Sequence, residues 1–352
     1  QMKKLVSLCL LLFAVSSFNS CVSIKEIFKK KTDVSKTTEK PEPKPKKGDI
    51  LPYVKVITKE AQSDKGLFTV HKINDQFFYE IQDSLFNKEM LMVTRISKTA
   101  SGLGFGGGKQ NTQVLRWQKK GKKVVLRVVS YEVFAADSLP VHEAVVNSNF
   151  EPVLYTFPIK AFSTDSTATV IEVTDFFNKD VKALGLPSYS RKRYKVSRLE
   201  SEKSFIESVK SYPKNIEARH VKTYAASSPP SNSSTGTISI EINNSMILLP
   251  ENPMKRRYYD KRVGWFARGQ VDYGLDNQRS KEVTFLDRWR LEVKKEDLDK
   301  FKAGELVEPK KQIVYYVDRA TPEKWRKYIK QGIEDWQVAF EAAGFKNAII
   351  AA

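Results

Sequence analysis

The sequence has 352 residues, 41% of them hydrophobic, with 60 Lys and Arg against 41 Asp and Glu for a formal charge of +19. That length and apolar content suit two or three packed domains and exclude a chain disordered throughout. Both of its cysteines, Cys9 and Cys21, lie near the amino terminus, and its three histidines, His71, His142 and His220, lie far apart. Everything downstream of Cys21 therefore lacks a thiol for a disulfide, a Cys-based zinc site or a cysteine nucleophile.

Met2-Lys3-Lys4, the apolar run Leu5 to Val15 and the small polar residues before Cys21 read as a bacterial secretion signal over residues 1–21. The apolar run is too short to span a membrane, which takes roughly 20 residues. Ser20-Cys21 resembles a lipobox, so Cys21 is the expected lipidation site. The protein is then expected to be exported and lipid-anchored to the cell envelope, in the periplasm or at the outer membrane. Residues 22–49 are Lys-rich, and Pro41, Pro43 and Pro45 alternate with other residues, as in an extended linker.

From residue 50 the pattern is short runs rich in aromatic and β-branched residues, separated by turn residues. A small β domain is expected over 50–100, with strands at Leu67–His71, Gln76–Ile81 and Glu89–Ile96. A larger β-rich domain of unknown function follows over 109–300. It opens on a hairpin formed by Gln113–Gln118 and Val124–Tyr131 around Gly121. Further extended segments are expected at Pro152–Phe162, Ala168–Val173, Thr237–Ile242, Ser245–Leu249, Gly264–Val271 and Glu282–Val293, with a short helix opening at Thr174 and another helix over Ser201–Ser211. No fixed-period repeat is visible, which sets solenoids and propellers aside.

Residues 310–352 change character. Gln312–Val317 reads as a strand, Thr321-Pro322-Glu323 as a helix start with Thr321 as N-cap, and Gly344 as a left-handed stop. Trp325, Ile329, Ile333, Trp336 and Phe340 step by four, four, three and four, placing them on one helix face. Ala348–Ile350 begins another strand. A strand, an amphipathic helix and a second strand need a sheet to cover the helix. The expectation is a domain cut short, the alternative being that the last strand completes a sheet begun earlier.

Several motifs fail on context. Gly102 to Gly107 matches G-x-G-x-x-G literally, but the segment that follows reads as strand rather than the helix a dinucleotide fold requires. His142-Glu143 has Val146 where H-E-x-x-H needs its second histidine. G-x-S-x-G is absent. The stretches Arg191–Arg198 and Lys255–Arg262 interleave basic residues with tyrosines and could meet phosphates. In an exported protein, anionic lipid headgroups, acidic glycans or an acidic partner fit them better than nucleic acid does. Asp83-Ser84-Leu85, Asp137-Ser138-Leu139 and Asp165-Ser166-Thr167 resemble a short O-glycosylation motif of exported Bacteroidetes proteins.

Val124–Tyr131 continuing to Ser148–Pro152, Arg262-Val263-Gly264-Trp265-Phe266, and Gly332–Phe345 with Trp325 together resemble the large zinc-dependent, metzincin-like metalloproteases of Bacteroidetes, which carry two N-terminal domains of unknown function. The resemblance spans about residues 50–352, and its most specific part is the helix I-x-x-W-x-x-A-F-E-x-A-G-F from Ile333. It implies an α+β chain: a predominantly antiparallel β region followed by the opening strand-helix-strand of a zincin-like catalytic domain. It also implies zinc and a peptide or protein substrate for the complete protein, with H-E-x-x-H-x-x-G-x-x-H beyond Ala352. No catalytic or metal-binding residue of this chain is assigned by it, and the chain alone is expected to be inactive. The competing expectation is a self-contained periplasmic or surface lipoprotein that binds a peptide, glycan or protein partner.

Overall fold

Alternation of apolar and polar residues dictates most of the architecture, because each strand must bury one face. A computed structural model describes residues 49–352, and Cys21, the signal and most of the linker lie outside the described residues. The strands, in chain order, are β1 (Gln62–Lys65), β2 (Thr69–Ile73), β3 (Gln76–Gln82), β4 (Glu89–Lys98), β5 (Lys109–Lys120), β6 (Lys123–Val129), β7 (Val133–Phe134), β8 (Val153–Phe162), β9 (Ala168–Glu172), β10 (Val196–Leu199), β11 (Phe205–Tyr212), β12 (Asn215–Ala226), β13 (Thr237–Leu248), β14 (Ala267–Asp272), β15 (Lys281–Leu286), β16 (Ile313–Tyr315) and β17 (Ile349–Ala351). The helices are short: α1 (Tyr53–Val56), α2 (Val141–Ser148), α3 (Thr174–Asn178), α4 (Ser188–Arg193), α5 (Leu298–Lys302), α6 (Glu323–Glu334) and α7 (Gln337–Ala342).

Twelve strands form one antiparallel sheet in the order β1-β2-β3-β9-β8-β6-β5-β4-β13-β12-β10, with β11 also on β12. The segments 50–100 and 109–300 thus share a sheet: β4 lies between β5 and β13, and β3 pairs with β9. The sheet curls until its ends meet. Leu67 N–H donates to the Tyr212 carbonyl at 2.7 Å, the Ser211 hydroxyl to the Phe68 carbonyl at 2.7 Å, and Ser211 N–H to the Asp64 carboxylate at 3.0 Å. Gly66 permits this seam, since a β-carbon there would sit 2.5 Å from Ser211 Oγ and 2.7 Å from both the backbone nitrogen and oxygen of Tyr212.

Inside the curl, Trp117 is fully buried, with ring centroids of Phe157 at 5.4 Å, Phe68 at 5.9 Å and Tyr79 at 6.4 Å. α3 closes this core by inserting Phe176 and Phe177 beside Tyr155, Phe157 and Tyr79. Burial of each such ring contributes about 1.5–3 kcal/mol. A second core, Ile96, Leu186, Tyr194, Tyr224, Ile238, Ile240 and Ile242, lies toward α4, and α1 covers Phe78, Ala161 and Val170 on the outer face. A three-stranded sheet, β15-β14-β7, and a parallel pair, β16 with β17, complete the strands.

Three expectations are corrected. Residues 201–211 are not a helix: a single 3-10 turn at Ser201–Lys203 leads into β11, which pairs with β12 across Pro213-Lys214. Ile206 and Val209, β-branched, favour the extended form that the hairpin stabilises. The helix expected from Thr321 to about Ala343 is two helices. The bonds Trp336 N–H to Ile333 O and Ala339 N–H to Trp336 O have i to i−3 spacing and tighten the chain between them. Thr321 is not the N-cap either, because α6 begins at Glu323 with Pro322 in the cap position and no side-chain cap bond. Gly344 does take the left-handed conformation, with φ +91°.

Gly66→Ala is expected to lower the stability of the β body by about 1–3 kcal/mol, the usual cost of overpacking a close approach, read as a reduced denaturant midpoint. A midpoint equal to wild type means the seam is not a tight contact.

Candidate functional sites: a buried polar layer and an uncovered apolar face

Along β12 the inward side chains run Ile216, Ala218, His220, Lys222, Tyr224. The strand thus begins in the aromatic core and ends in the second core, and between them it places a histidine and a lysine that are both 0% exposed. Neighbouring strands add matching polar groups, since Asn244 of β13 pairs in register with Thr94 of β4, and Thr94 with Asn111 of β5. Asn244 donates to Thr94 Oγ1 at 2.8 Å through Nδ2 and contacts His220 Nε2 at 2.7 Å through Oδ1. That orientation requires the His220 proton on Nε2. Its Nδ1 is then a bare acceptor, and like Asn178 Oδ1 and Gln113 Oε1 it has no protein partner.

Residues 178–194 cross over this layer as a strap. Lys222 Nζ donates to the Lys179 carbonyl at 2.5 Å, and Thr94 Oγ1 donates to the Ala183 carbonyl at 3.3 Å. The Tyr224 hydroxyl accepts from Leu186 N–H at 3.3 Å and from Arg191 Nη2 at 3.2 Å. Arg191 grips both carboxylate oxygens of Asp180 at 2.8 and 2.5 Å, and its Nε donates to the Leu186 carbonyl. Gly185 lets the strap descend, as a β-carbon there would lie 2.4 Å from the Tyr224 hydroxyl. A cleft of about 370 Å³ opens beside the strap, lined by Gln110, Asn111, Lys182, Gly185, Ser188 and Arg191.

Charge is expensive in this layer. Burial pushes His220 down to about 3, with Lys222 nearby adding to the effect. Burial likewise pushes Lys222 down to about 8, partly offset by the Asp180 carboxylate. Arg191 holds the Asp180 carboxyl below the ordinary range. The arrangement holds a neutral imidazole and a strained lysine under a polar strap. Among these contacts there is no nucleophile paired with a base, so the layer latches the strap in place.

The second site is the carboxy-terminal β16-α6-α7-β17 unit. Phe340 and Phe345 pack with Val307, Ala348, Leu291, Val293 and Phe301 into a small core. The rest of the helical stripe is uncovered: Trp336 is 64% exposed, Val338 73%, and Trp325, Tyr328 and Ile329 are exposed as well. Asp335, Trp336, Val338, Ala339 and Ala342 line a shallow depression there. Contiguous apolar exposure of this kind marks an interaction surface.

The other residues singled out in the sequence fall in ordinary places. The Gly102–Gly107 segment is the β4–β5 turn, and no helix follows it. His142 lies on α2 with Nδ1 on the Ala135 carbonyl at 3.0 Å, and His71 is buried against Ser63 and Glu80. Among the described residues no group of three or more His, Cys, Asp or Glu could hold a metal ion. No described helix is long and apolar enough to cross a membrane. Within the basic stretches Arg191 is held as above, Arg262 pairs with Asp260, and Arg256 stacks over Phe134 and Phe285. Ser84, Ser138 and Ser166 are exposed in turns. The sequence reading passed over Lys222, Thr94 and Asn244. Their signal was present, as polar residues at inward positions, Thr94 and Asn244 on strands otherwise rich in Ile and Met and Lys222 between Ala218 and Tyr224.

A family model described as a domain of unknown function (DUF5117) matches residues 107–294, more than half of the chain, and another domain of unknown function (DUF5118) matches residues 50–99. No curated protein and no solved structure matches the chain.

Lys222→Met is expected to stabilise the fold at neutral pH, as replacing a buried charge with an apolar side chain of similar length often does, by about 1–3 kcal/mol. In the wild type the lysine penalty is fully present below about pH 8 and is relieved as pH rises toward 10.5. Urea midpoints should therefore climb over that window in the wild type and not in the variant. His220 acts at the acid end: between pH 6.5 and about 3 the unfolded chain binds a proton that the folded chain refuses, so stability falls as pH drops. His220→Gln should flatten that part of the profile, and an unchanged slope would contradict the assignment.

Proposed function

The chain belongs to the DUF5117 family, and from that premise we propose that residues 50–352 are the non-catalytic front portion of an exported zinc metalloendopeptidase, ending in the first strand-helix-strand of its catalytic domain. The observation that carries this reading is the uncovered stripe on α6 and α7. An amphipathic helix is stabilised by burying its apolar face, and two short parallel strands give α6 and α7 too little to lie on. Further strands beside β16 and β17 would cover Trp325, Ile329 and Trp336. The β body fits a supporting role: its interior is filled by aromatic side chains and its buried polar groups hold a strap. In this reading Cys21 carries the lipid that keeps the protein at the envelope, zinc is held by residues beyond Ala352, and the substrate is a peptide or protein.

Exposed aromatics beside cations, with Tyr258, Trp265, Phe266 and Trp289 near Arg262 and Arg288 in the chain, favour a second reading as a self-contained lipoprotein that binds a peptide or glycan. The two separate on the gene. Read past codon 352, it should continue into H-E-x-x-H-x-x-G-x-x-H, and the longer protein should hold one zinc and cleave an unfolded protein such as casein until a chelator removes the metal. In that protein Trp325 and Trp336 should be shielded from acrylamide, whereas in the 352-residue chain they should be quenched. A stop codon directly after Ala352, or a longer protein without zinc, sinks the protease reading.

A further inference from the structure

On the outer face of the curled sheet, away from the polar layer, three side chains from consecutive strands form a relay. Ser63 of β1 is the register partner of His71 of β2, whose own partner on β3 is Phe78, two residues from Glu80. Alternation along the strands puts Ser63, His71 and Glu80 on the same face. Ser63 Oγ lies 2.7 Å from His71 Nδ1, and His71 Nε2 lies 3.0 Å from Glu80 Oε2. Tyr53 of α1 donates its hydroxyl to the same Glu80 oxygen at 2.6 Å and sets its ring edge-on to the imidazole.

The proton positions follow. The His71 bond holds the Glu80 carboxyl below its ordinary range, so Glu80 is a carboxylate and can only accept. The bridging proton therefore belongs to His71 Nε2, the bare lone pair to Nδ1, and Ser63 Oγ–H donates to that lone pair. This is the nucleophile, base and orienting acid of serine hydrolases, with the two ring nitrogens exchanged. The imidazole is 3% exposed and screened from water, while Ser63 faces solvent on the terminal strand of the sheet. α1 docks through the Tyr53–Glu80 bond and the packing of Tyr53, Val56 and Ile57 against Phe78, Ala161 and Val170, and Ser63 belongs to neither set of contacts.

We propose that Ser63 is an activated nucleophile that takes acyl and phosphonyl groups from electrophilic esters, with His71 as its base and Glu80 and Tyr53 as positioning residues. With a fluorophosphonate, Ser63 Oγ forms a bond to phosphorus as the P–F bond breaks. The hydroxyl proton passes to His71 Nδ1, where the Glu80 carboxylate balances the imidazolium, and fluoride leaves. With p-nitrophenyl acetate the acetyl group moves to Oγ and p-nitrophenolate departs. No electrons change hands in either step.

The purified 352-residue chain treated with diisopropyl fluorophosphate tests this, because the adduct is located by peptide mass and does not depend on zinc or on the protease reading. Modification is expected at Ser63, roughly 100-fold faster than at the exposed Ser84 of the same molecules, in line with general-base assistance. Ser63→Ala should remove that adduct. Glu80→Gln should slow the reaction at least tenfold and His71→Gln more, and Glu80→Asp, which keeps the carboxylate, should restore part of the rate. Should His71→Gln not fold, the Glu80→Gln rate decides. Ser63 reacting no faster than Ser84, or Glu80→Gln reacting like wild type, overturns the proposal and leaves the cluster as a fastening for α1.

Discussion

Closure of the sheet on itself is the constraint from which the rest of the structure follows. A sheet of twelve strands leaves two edges of unpaired backbone groups, which invite pairing with other chains. Here the edges meet at Gly66, Leu67, Ser211 and Tyr212, and the curvature that brings them together creates the interior. Trp117, Phe157 and Phe68 fill it, and α3 reaches in because the curl leaves an open end. The seam also brings the terminal strands β1 and β2 firmly against the body, which gives the Ser63, His71 and Glu80 side chains a fixed geometry.

The interior is not apolar throughout. Between the two cores, His220, Lys222, Asn244 and Thr94 replace hydrophobic contact with a hydrogen-bonded layer, and that layer costs stability through Lys222 and the partnerless atoms. Buried polar groups make a register unique, because a slip of one residue would turn Lys222 and His220 outward and strand Val221 and Thr223 inside. In return the strap over residues 178–194 is anchored at defined points, Lys179, Ala183, Leu186 and Arg191, rather than lying loosely across the opening.

Much of the secondary structure was legible because β-branched and aromatic residues cluster between turn residues, as in the hairpin around Gly121 and the run Gln76–Ile81. Single strands speak for themselves; their partners do not. Nothing local in Glu89–Ile96 reveals that it lies against residues 237–248, so a boundary placed at residue 100 falls inside one sheet. β1 reads Gln-Ser-Asp-Lys, polar at every position, and is a strand only because β2 pairs with it, which is why Ser63 drew no attention. Residues 201–211 carry a helix-like local pattern, but the contest between local propensity and the β12 partner is decided by the partner. At the carboxy end the apolar spacing marks helical structure but not its division at Trp336, nor that Phe340 is covered while Trp325, Ile329 and Trp336 are not.

The strand order has a kinetic consequence. Asn244 bonds Thr94 across 150 residues and Ser211 bonds Phe68 across 143. Such separations place this chain among slow folders, because the cost of closing long loops comes before the contacts that offset it. The stretch 50–99 has no complete partner set until residue 248 is available, so it emerges first and must wait, with the flanks of β3 and β4 open. During that interval the stretch 50–99 has seven Lys and Arg against six Asp and Glu, so its polar turns, rather than the net charge of the chain, are what separate its open strand edges from other chains.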